Sequence, residues 1–156
     1  MNIRSFVDTD LEPITRLFTE SVHTLAVGAY GDGQREAWAP RPPDTDYWRR
    51  RLQPLRTLVA ENDGELVGFI SFQENGHIDM MYTAPRHSRR GVATVLFKRV
   101  EATLISLGVI ELFTEASLVA RPFFTTLTRF AMSKPQVAAQ QGVPADVARP
   151  AGERRG

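Results

Sequence analysis

The sequence contains no cysteine, which excludes disulfides, thiolate nucleophiles and cysteine metal sites. It also lacks an excess of charge: a formal net charge of +1 gives no overall field that would attract nucleic acid or an acidic membrane. The three histidines, His23, His77 and His87, lack ligand spacing, so we expect surface or hairpin residues and no metal site. The N-terminus lacks a long apolar run, so we expect no signal peptide, no membrane span and a cytoplasmic protein.

Apolar residues make up 42% of the 156 residues, which is enough for the core of one domain. Two stretches show helical periodicity. The first follows the short strand "NIRSF", with Thr9 and Glu12 at capping-box spacing, and the second runs from Val92 to a stop at Gly108. The Gly- and Pro-rich segment between the first helix and the next strands predicts short helices over 34–38 and 45–52.

Strand patterns follow in a regular order. "RTLVAEN", "ELVGFISFQ" and "HIDMMYT" are separated by the turns "NDG" and "ENG", which predicts an antiparallel meander. "VIELFTEAS" is a fifth strand and "ARPFFTTLTRF" a short helix. Residues 131–156 have no aromatic residue and three prolines, so we predict a domain over 1–130 and an irregular or disordered tail over 131–156.

The stretch "PRHSRRGVAT" lies between the third strand of the meander and the second long helix. The first N–H groups of a helix have no internal partner, and Gly91 would let an anion approach them. Arg86, Arg89 and Arg90 would strengthen such a cradle. The alternative is an ordinary solvated turn, and a nucleic-acid patch is disfavoured because no aromatic residues alternate with the arginines.

The phrase "MMYTAP" followed by "SRRGVA" resembles the acyl-CoA-binding motif of the GNAT superfamily of N-acetyltransferases. Gly91 and Ala93 match the motif, whereas Ser88 stands where the family prefers Gln or Arg. The resemblance runs from Asn2 to about Phe130. It implies an α/β (α+β) fold with a mixed, mostly antiparallel sheet flanked by helices, from which the last two family strands are missing.

The resemblance implies an enzyme that moves an acetyl group from acetyl-CoA, its co-substrate, to a primary amine. The amine would belong to a small molecule or be an exposed amino group, and it would attack directly in a ternary complex. The alternative is a non-catalytic acyl-CoA-binding protein. The residues implied to bind the co-substrate are Met81, Tyr82, Thr83, Arg86, Arg89, Arg90, Gly91, Val92, Ala93 and Thr94.

Acetyl transfer to an ammonium group needs a proton acceptor. Asp79, flanked by apolar residues in "HIDMM", is the first candidate, and Glu115 is the second. For Asp79, the alternative is a strand carboxylate that faces water or pairs with an arginine. For Glu115, the alternative is a solvated charge at the edge of the strand. Phe124 stands where the family has a proton-donating tyrosine, and Ser117 is the remaining hydroxyl near the thiol, with a plain turn serine as the alternative.

Tyr30, Gln34 and Trp38 are the predicted wall of the acceptor pocket, and the alternative for Trp38 is a residue that only anchors this segment to the core. Tyr47 and Trp48 are expected to be core or staple residues. Because the last strands are missing, the fifth strand would have an unpaired edge that invites association. Two hypotheses follow: a partner chain, such as a second copy in a homodimer, supplies the missing wall, or the reading frame diverges near residue 125.

Overall fold

The computed structural model describes residues 1–114 in full and the backbone of residues 130–132. Four helices and six strands lie within these ranges. In chain order they are β1 (Asn2–Ser5), α1 (Leu11–Leu25), α2 (Asp32–Trp38), α3 (Thr45–Leu52), β2 (Arg56–Asn62), β3 (Glu65–Phe72), β4 (His77–Thr83), α4 (Val92–Ser106), β5 (Leu112–Thr114) and β6 (Phe130–Met132).

The six strands form one sheet in the order β1-β2-β3-β4-β5-β6. The first four pair antiparallel, and β5 and β6 continue the sheet in parallel. Asp63 and Gly64 both have positive φ in the β2–β3 turn, as a two-residue hairpin of this kind requires. The mixed, mostly antiparallel sheet and its meander are therefore confirmed.

The edge of β5 differs from the prediction. Phe130–Met132 pairs in parallel with Leu112–Thr114, so these three residues of β5 are not an unpaired edge. Ala131 and Met132 lie in this strand, although they fall in the segment predicted to be irregular. The sequence did not indicate this strand, because three residues are too few to show a periodic pattern. The helix predicted over "ARPFFTTLTRF" lies almost wholly outside the described residues, except that Phe130 is in β6.

The start of α1 also differs from the prediction. A short 3-10 turn over Asp8–Asp10 precedes the helix, and the Asp10 carboxylate accepts a hydrogen bond from the Val7 N–H at 2.9 Å. Arg4 of β1 holds both oxygens of the same carboxylate, at 2.7 and 2.9 Å. Asp10 rather than the Thr9–Glu12 pair therefore organises the helix start. Its carboxylate is held by Arg4 of β1, a contact that the local spacing of residues does not reveal.

Two hydrophobic cores lie on opposite faces of the sheet. Helices α1, α2 and α3 pack on one face, where Phe18, Trp38 and Trp48 share a core with Phe69 of β3 and Trp48 contacts that ring. Helix α4 packs on the other face. Its buried residues are Val92, Leu96, Phe97, Val100 and Leu104. In the described ranges, none of the helices has the length and apolar character needed to cross a membrane.

Candidate active site

The start of α4 is open. Gly91 precedes the helix with φ +84°, and no side chain hydrogen-bonds to cap this end. The first helical bond runs from the Val95 N–H to the Gly91 carbonyl at 3.0 Å, so the N–H groups before Val95 have no partner within the helix. A Cβ built on Gly91 would meet no described atom within 4 Å. The helix therefore presents N–H groups and the positive end of its dipole to a region that no other part of residues 1–114 fills, which suits an anion.

The three arginines of the turn have different surroundings. Arg86 forms an ion pair with Glu65 at the start of β3. Arg89 and Arg90 are exposed, and among residues 1–114 no ion pair involves either of them. Arg89 also has a positive φ, of 60°. The two arginines nearest Gly91 are therefore the cations left to meet an incoming anion.

A β-bulge lies in β4 at Asp79. Ser71 of β3 pairs with Met80, and the next residue, Phe72, pairs with Ile78, so Asp79 is an extra residue in the strand. Bulges of this kind redirect a side chain and are frequent beside active sites. Here the bulge allows Asp79 to face α3, as its contacts with that helix show.

The β4–β5 pairing is short. His77 pairs with Phe113 and Ile78 with Thr114, and no further β4–β5 pair lies within the described ranges. Within residues 1–114 and 130–132, the edge of β4 beyond Ile78, on the side that faces β5, has no strand partner. An extended ligand would find main-chain donors and acceptors along that edge.

The alternation of the β3–β4 ladder decides which main-chain groups reach that edge. The Ala84 N–H donates to the Val67 carbonyl at 2.9 Å, so Ala84 and Tyr82, two residues apart, direct their main-chain groups toward β3. Met81 and Thr83 direct theirs to the opposite edge. The geometry therefore fits the predicted ligand contacts of Met81 and Thr83, whereas the main chain of Tyr82 does not face the ligand side.

Gly68 of β3 brings the start of α4 close to β4. It pairs with Thr83, and a Cβ built on it would lie 2.7 Å from Val92 Cγ1 and 3.2 Å from the Tyr82 carbonyl oxygen. A glycine is therefore needed where the first turn of α4 rests on the sheet. We did not predict a role for Gly68, although a glycine inside a strand pattern indicates a close approach of this kind.

Asp79 is buried and is paired with Arg51 of α3. Arg51 Nη1 and Nη2 donate to Oδ2 and Oδ1 of the carboxylate at 2.5 and 2.8 Å. Burial lowers the pKa of Arg51, but the hydrogen bonds and negative charge of Asp79 outweigh it and leave that pKa above its ordinary value. This pairing matches the alternative given above for Asp79, a strand carboxylate that pairs with an arginine. Its role as proton acceptor stays a prediction.

Of the three residues predicted for the wall of the acceptor pocket, Trp38 lines a cavity and the other two do not. Trp38 is in the core and also lines a cavity beside α3. Tyr30 is fully buried against Trp38, with ring centroids 5.1 Å apart, and Gln34 Oε1 accepts the Gly31 N–H at 2.7 Å at the start of α2. Tyr30 and Gln34 are not among the residues that line this cavity.

Tyr47 and Trp48 are predicted to be core or staple residues. Trp48 is buried in the core, whereas Tyr47 is 46% exposed, which excludes the core alternative for Tyr47. The reason is the phase of α3, since adjacent helical residues point in different directions and Trp48 takes the inward position. Both side chains line the same cavity as Trp38.

The remaining predicted groups are placed as follows. Glu115, Ser117 and Phe124 lie outside the described residues. Tyr82 packs edge-on against Phe18, and burial raises the pKa of its hydroxyl, which therefore stays protonated. Among the described residues, no cluster of histidine and acidic side chains is suited to a metal ion.

Comparison with known proteins agrees with this geometry. A family model described as an acetyltransferase (GNAT) domain matches residues 26–141. The uncharacterized N-acetyltransferase YafP of Escherichia coli (strain K12) is 33% identical over 124 residues, which cover 80% of this chain and 77% of that protein.

Solved structures share the fold. A GCN5-related N-acetyltransferase from Rhodopseudomonas palustris is 32% identical, with a TM-score of 0.76 over 80% of this chain and 78% of that one. The PaiA N-acetyltransferase of Thermoplasma acidophilum, solved in complex with coenzyme A, is 19% identical with a TM-score of 0.67, over 80% of this chain and 86% of that one. At that identity it supports the fold alone. The uncapped helix start, the bulged fourth strand and the family match agree: this chain belongs to the GNAT family of acetyltransferases.

Proposed function

We propose that the protein transfers an acetyl group from acetyl-CoA to a primary amine by direct attack in a ternary complex. The observation that carries the proposal is the open start of α4 at Gly91, together with the edge of β4 that has no strand partner among the described residues. A diphosphate and an extended amide-bearing arm, the two parts of CoA, match these two features. PaiA, which shares this fold, was solved in complex with coenzyme A.

The residues of this chain would bind the co-substrate through the main chain. The N–H groups from Gly91 to Thr94 would hold the diphosphate, with Arg89 and Arg90 adding positive charge. Met81 and Thr83 would hydrogen-bond the pantetheine arm as an added strand does. The Thr83 N–H would also stabilise the oxyanion that develops on the thioester carbonyl.

In the transfer, the amine nitrogen forms a bond to the carbonyl carbon, and the carbon–sulfur bond breaks. The amine loses a proton, and the thiolate leaves and takes up a proton. Asp79 is the candidate acceptor of the amine proton, directly or through a water molecule. Because the pKa of a thiol lies near neutral pH, the leaving group needs little help from an acid.

One observation favours a second candidate, a non-catalytic acyl-CoA-binding protein. Both oxygens of Asp79 already accept hydrogen bonds from Arg51, so a bound ammonium would compete with a guanidinium for the same carboxylate. A protein with an intact cradle and an occupied carboxylate would bind the co-substrate without turning it over.

Two measurements on the full chain separate these candidates. Calorimetric titration with CoA measures binding, and release of free thiol from acetyl-CoA with a panel of amines measures transfer. Binding with amine-dependent thiol release supports the transferase. Binding without release for any amine selects the acyl-CoA binder. Absence of CoA binding overturns both.

A further inference from the structure

A cavity of about 380 Å³ lies between α1, the α2–α3 segment, α3 and β4. This volume is within the range of small-molecule sites, roughly 300–1,000 Å³. The residues that line it are Phe18, Thr19, Ala37, Trp38, Ala39, Pro40, Pro42, Pro43, Asp44, Tyr47, Trp48, Arg50, Arg51 and Met80.

The walls of this cavity are aromatic. Phe18 and Trp48 lie edge to face with ring centroids 4.6 Å apart, and Phe18 and Trp38 do so at 6.5 Å. Tyr47 extends the aromatic surface toward solvent. Rings fixed at steep angles to one another leave both faces and edges for a flat apolar group to pack against.

The charges of the cavity disfavour a ligand with several positive charges. Arg50 and Arg51 both line it, and Asp44 is the one carboxylate among the lining residues. Asp44 also caps α3 by accepting the Tyr47 N–H at 3.1 Å. Asp79, which lies behind Arg51, already neutralises that guanidinium. The lining therefore offers a second or third ammonium no carboxylate other than Asp44, and Arg50 adds a positive charge to the same wall.

The cavity reaches β4 beside the proposed position of the thioester. Met80 is one of its lining residues, and the next residue, Met81, directs its main chain to the edge of β4 away from β3. Asp79, on the other side of Met80, contacts Arg51 in the same wall. An amine at the inner end of the cavity would therefore lie near both the carboxylate and the edge of β4.

We propose that this cavity receives the acceptor and that it selects monoamines with an aromatic body, such as arylalkylamines, over polyamines and lysine side chains. This inference rests on the proposed function for the site. The ring would pack against the parts of Trp38, Trp48 and Phe18 that face the cavity, while the amine would point to the edge of β4.

The two tryptophans of the chain, Trp38 and Trp48, both line the cavity, so intrinsic fluorescence reports its occupancy directly. Titration of the full chain with 2-phenylethylamine is expected to change the tryptophan emission with saturation, whereas spermidine and ethylamine at the same concentrations leave it unchanged. Equal responses to all three amines, or none to 2-phenylethylamine, overturn the proposal. Because this readout needs no acetyl-CoA, it remains informative even if the co-substrate assignment fails.

Turnover gives a second readout. With acetyl-CoA, kcat/KM for 2-phenylethylamine is expected to exceed that for ethylamine at least about tenfold, because ring burial adds apolar contact. A preference for spermidine or for a lysine-containing peptide overturns the aromatic selectivity and leaves the transferase function intact. Loss of CoA binding, by contrast, overturns the proposed function and leaves the fluorescence result standing.

Substitutions locate the effect. Ala37→Phe adds bulk at an exposed helical position in the cavity wall and is expected to reduce 2-phenylethylamine binding at least about tenfold, since a filled cavity loses its apolar contacts. Ala102→Phe, at an exposed position of α4 on the other face of the sheet, is the matched control and leaves binding unchanged. Tyr47→Ala removes an exposed ring from the wall without disturbing the core and is expected to weaken the same binding. Unchanged binding in both wall variants overturns the assignment.

Discussion

Gly68 of β3 lies directly under Val92, the first residue of α4, and a Cβ added to Gly68 would come within 2.7 Å of Val92 Cγ1. The contact sets the distance between the start of α4 and the sheet. It joins the helix that would hold the diphosphate to the strand pair that would hold the pantetheine arm.

Gly68→Ala is therefore expected to move the start of α4 and to lower both stability and CoA affinity. Overpacking of this kind costs about 1–3 kcal/mol in the free energy of unfolding. Gly33→Ala in α2 is the matched control, because a Cβ at Gly33 meets no described atom within 4 Å and alanine favours a helix. Urea denaturation and calorimetry with CoA measure the two effects. Equal stability and affinity in the two variants would show that the contact does not position α4.

Gly91→Glu is expected to weaken CoA binding at least about tenfold, because it places a negative charge where the helix dipole favours an anion. It also forces a non-glycine residue into the left-handed region, at a cost of about 1–2 kcal/mol in stability. Gly108→Glu is the matched control, since Gly108 has φ +85° and equally open surroundings at the other end of α4. If both variants bind CoA with equal affinity in calorimetry, the anion site is not at this turn.

The pair of Arg51 and Asp79 is expected to behave as a buried ion pair. Removing one partner, as in Asp79→Ala, leaves an uncompensated charge and costs about 3–5 kcal/mol in the free energy of unfolding. Replacing both, as in Arg51→Met with Asp79→Leu, costs much less than the sum of the single changes. Denaturation of the single and double variants measures this coupling. Additive effects would show that the pair contributes no joint stability.

Asp79→Asn separates catalysis from structure. If Asp79 accepts the amine proton, kcat per folded molecule falls at every pH, while the folded fraction keeps its affinity for CoA. If Asp79 is purely structural, activity falls only in proportion to the folded fraction, which circular dichroism reports. The second result would remove Asp79 from the transfer step.

The environment of Asp10 predicts that the free energy of unfolding decreases at acid pH. Hydrogen bonds from Arg4 and the Val7 N–H hold the pKa of Asp10 below its ordinary value of 3.8, although burial acts in the opposite direction. The carboxylate therefore contributes stability that is fully present above pH 3.8 and is lost as the pH falls through the lower, folded-state pKa. Asp10→Asn is expected to be less stable at neutral pH and to lose less stability on acidification than the parent chain. Asp46→Asn, at an exposed site, is the control, and an identical acid profile in all three proteins contradicts the assignment.

Much of the fold follows from local patterns in the sequence. The strands of the meander, the short helices around Trp38 and Trp48, and the stop at Gly108 were predictable because alternation, helical spacing and glycine turns act over a few residues. The open turn at Gly91 was predictable for the same reason.

Other features depend on residues far apart in the chain. Asp79 was singled out because a carboxylate among apolar residues is unusual, yet its partner Arg51 lies 28 residues earlier on another element. Arg4 and Asp10 likewise displace a local capping pattern through a contact between a strand and a helix start. The direction of the Tyr82 main chain depends on the register with β3, which residue composition does not fix.

The two separate cores have an evolutionary consequence. The proposed phosphate-binding helix is anchored in one core, and the aromatic cavity is built from the other, with the sheet as their shared boundary. Mutations that reshape the aromatic side therefore leave the anchoring of α4 intact. Descendants of such a chain would diversify in the amines they accept while retaining a single donor molecule.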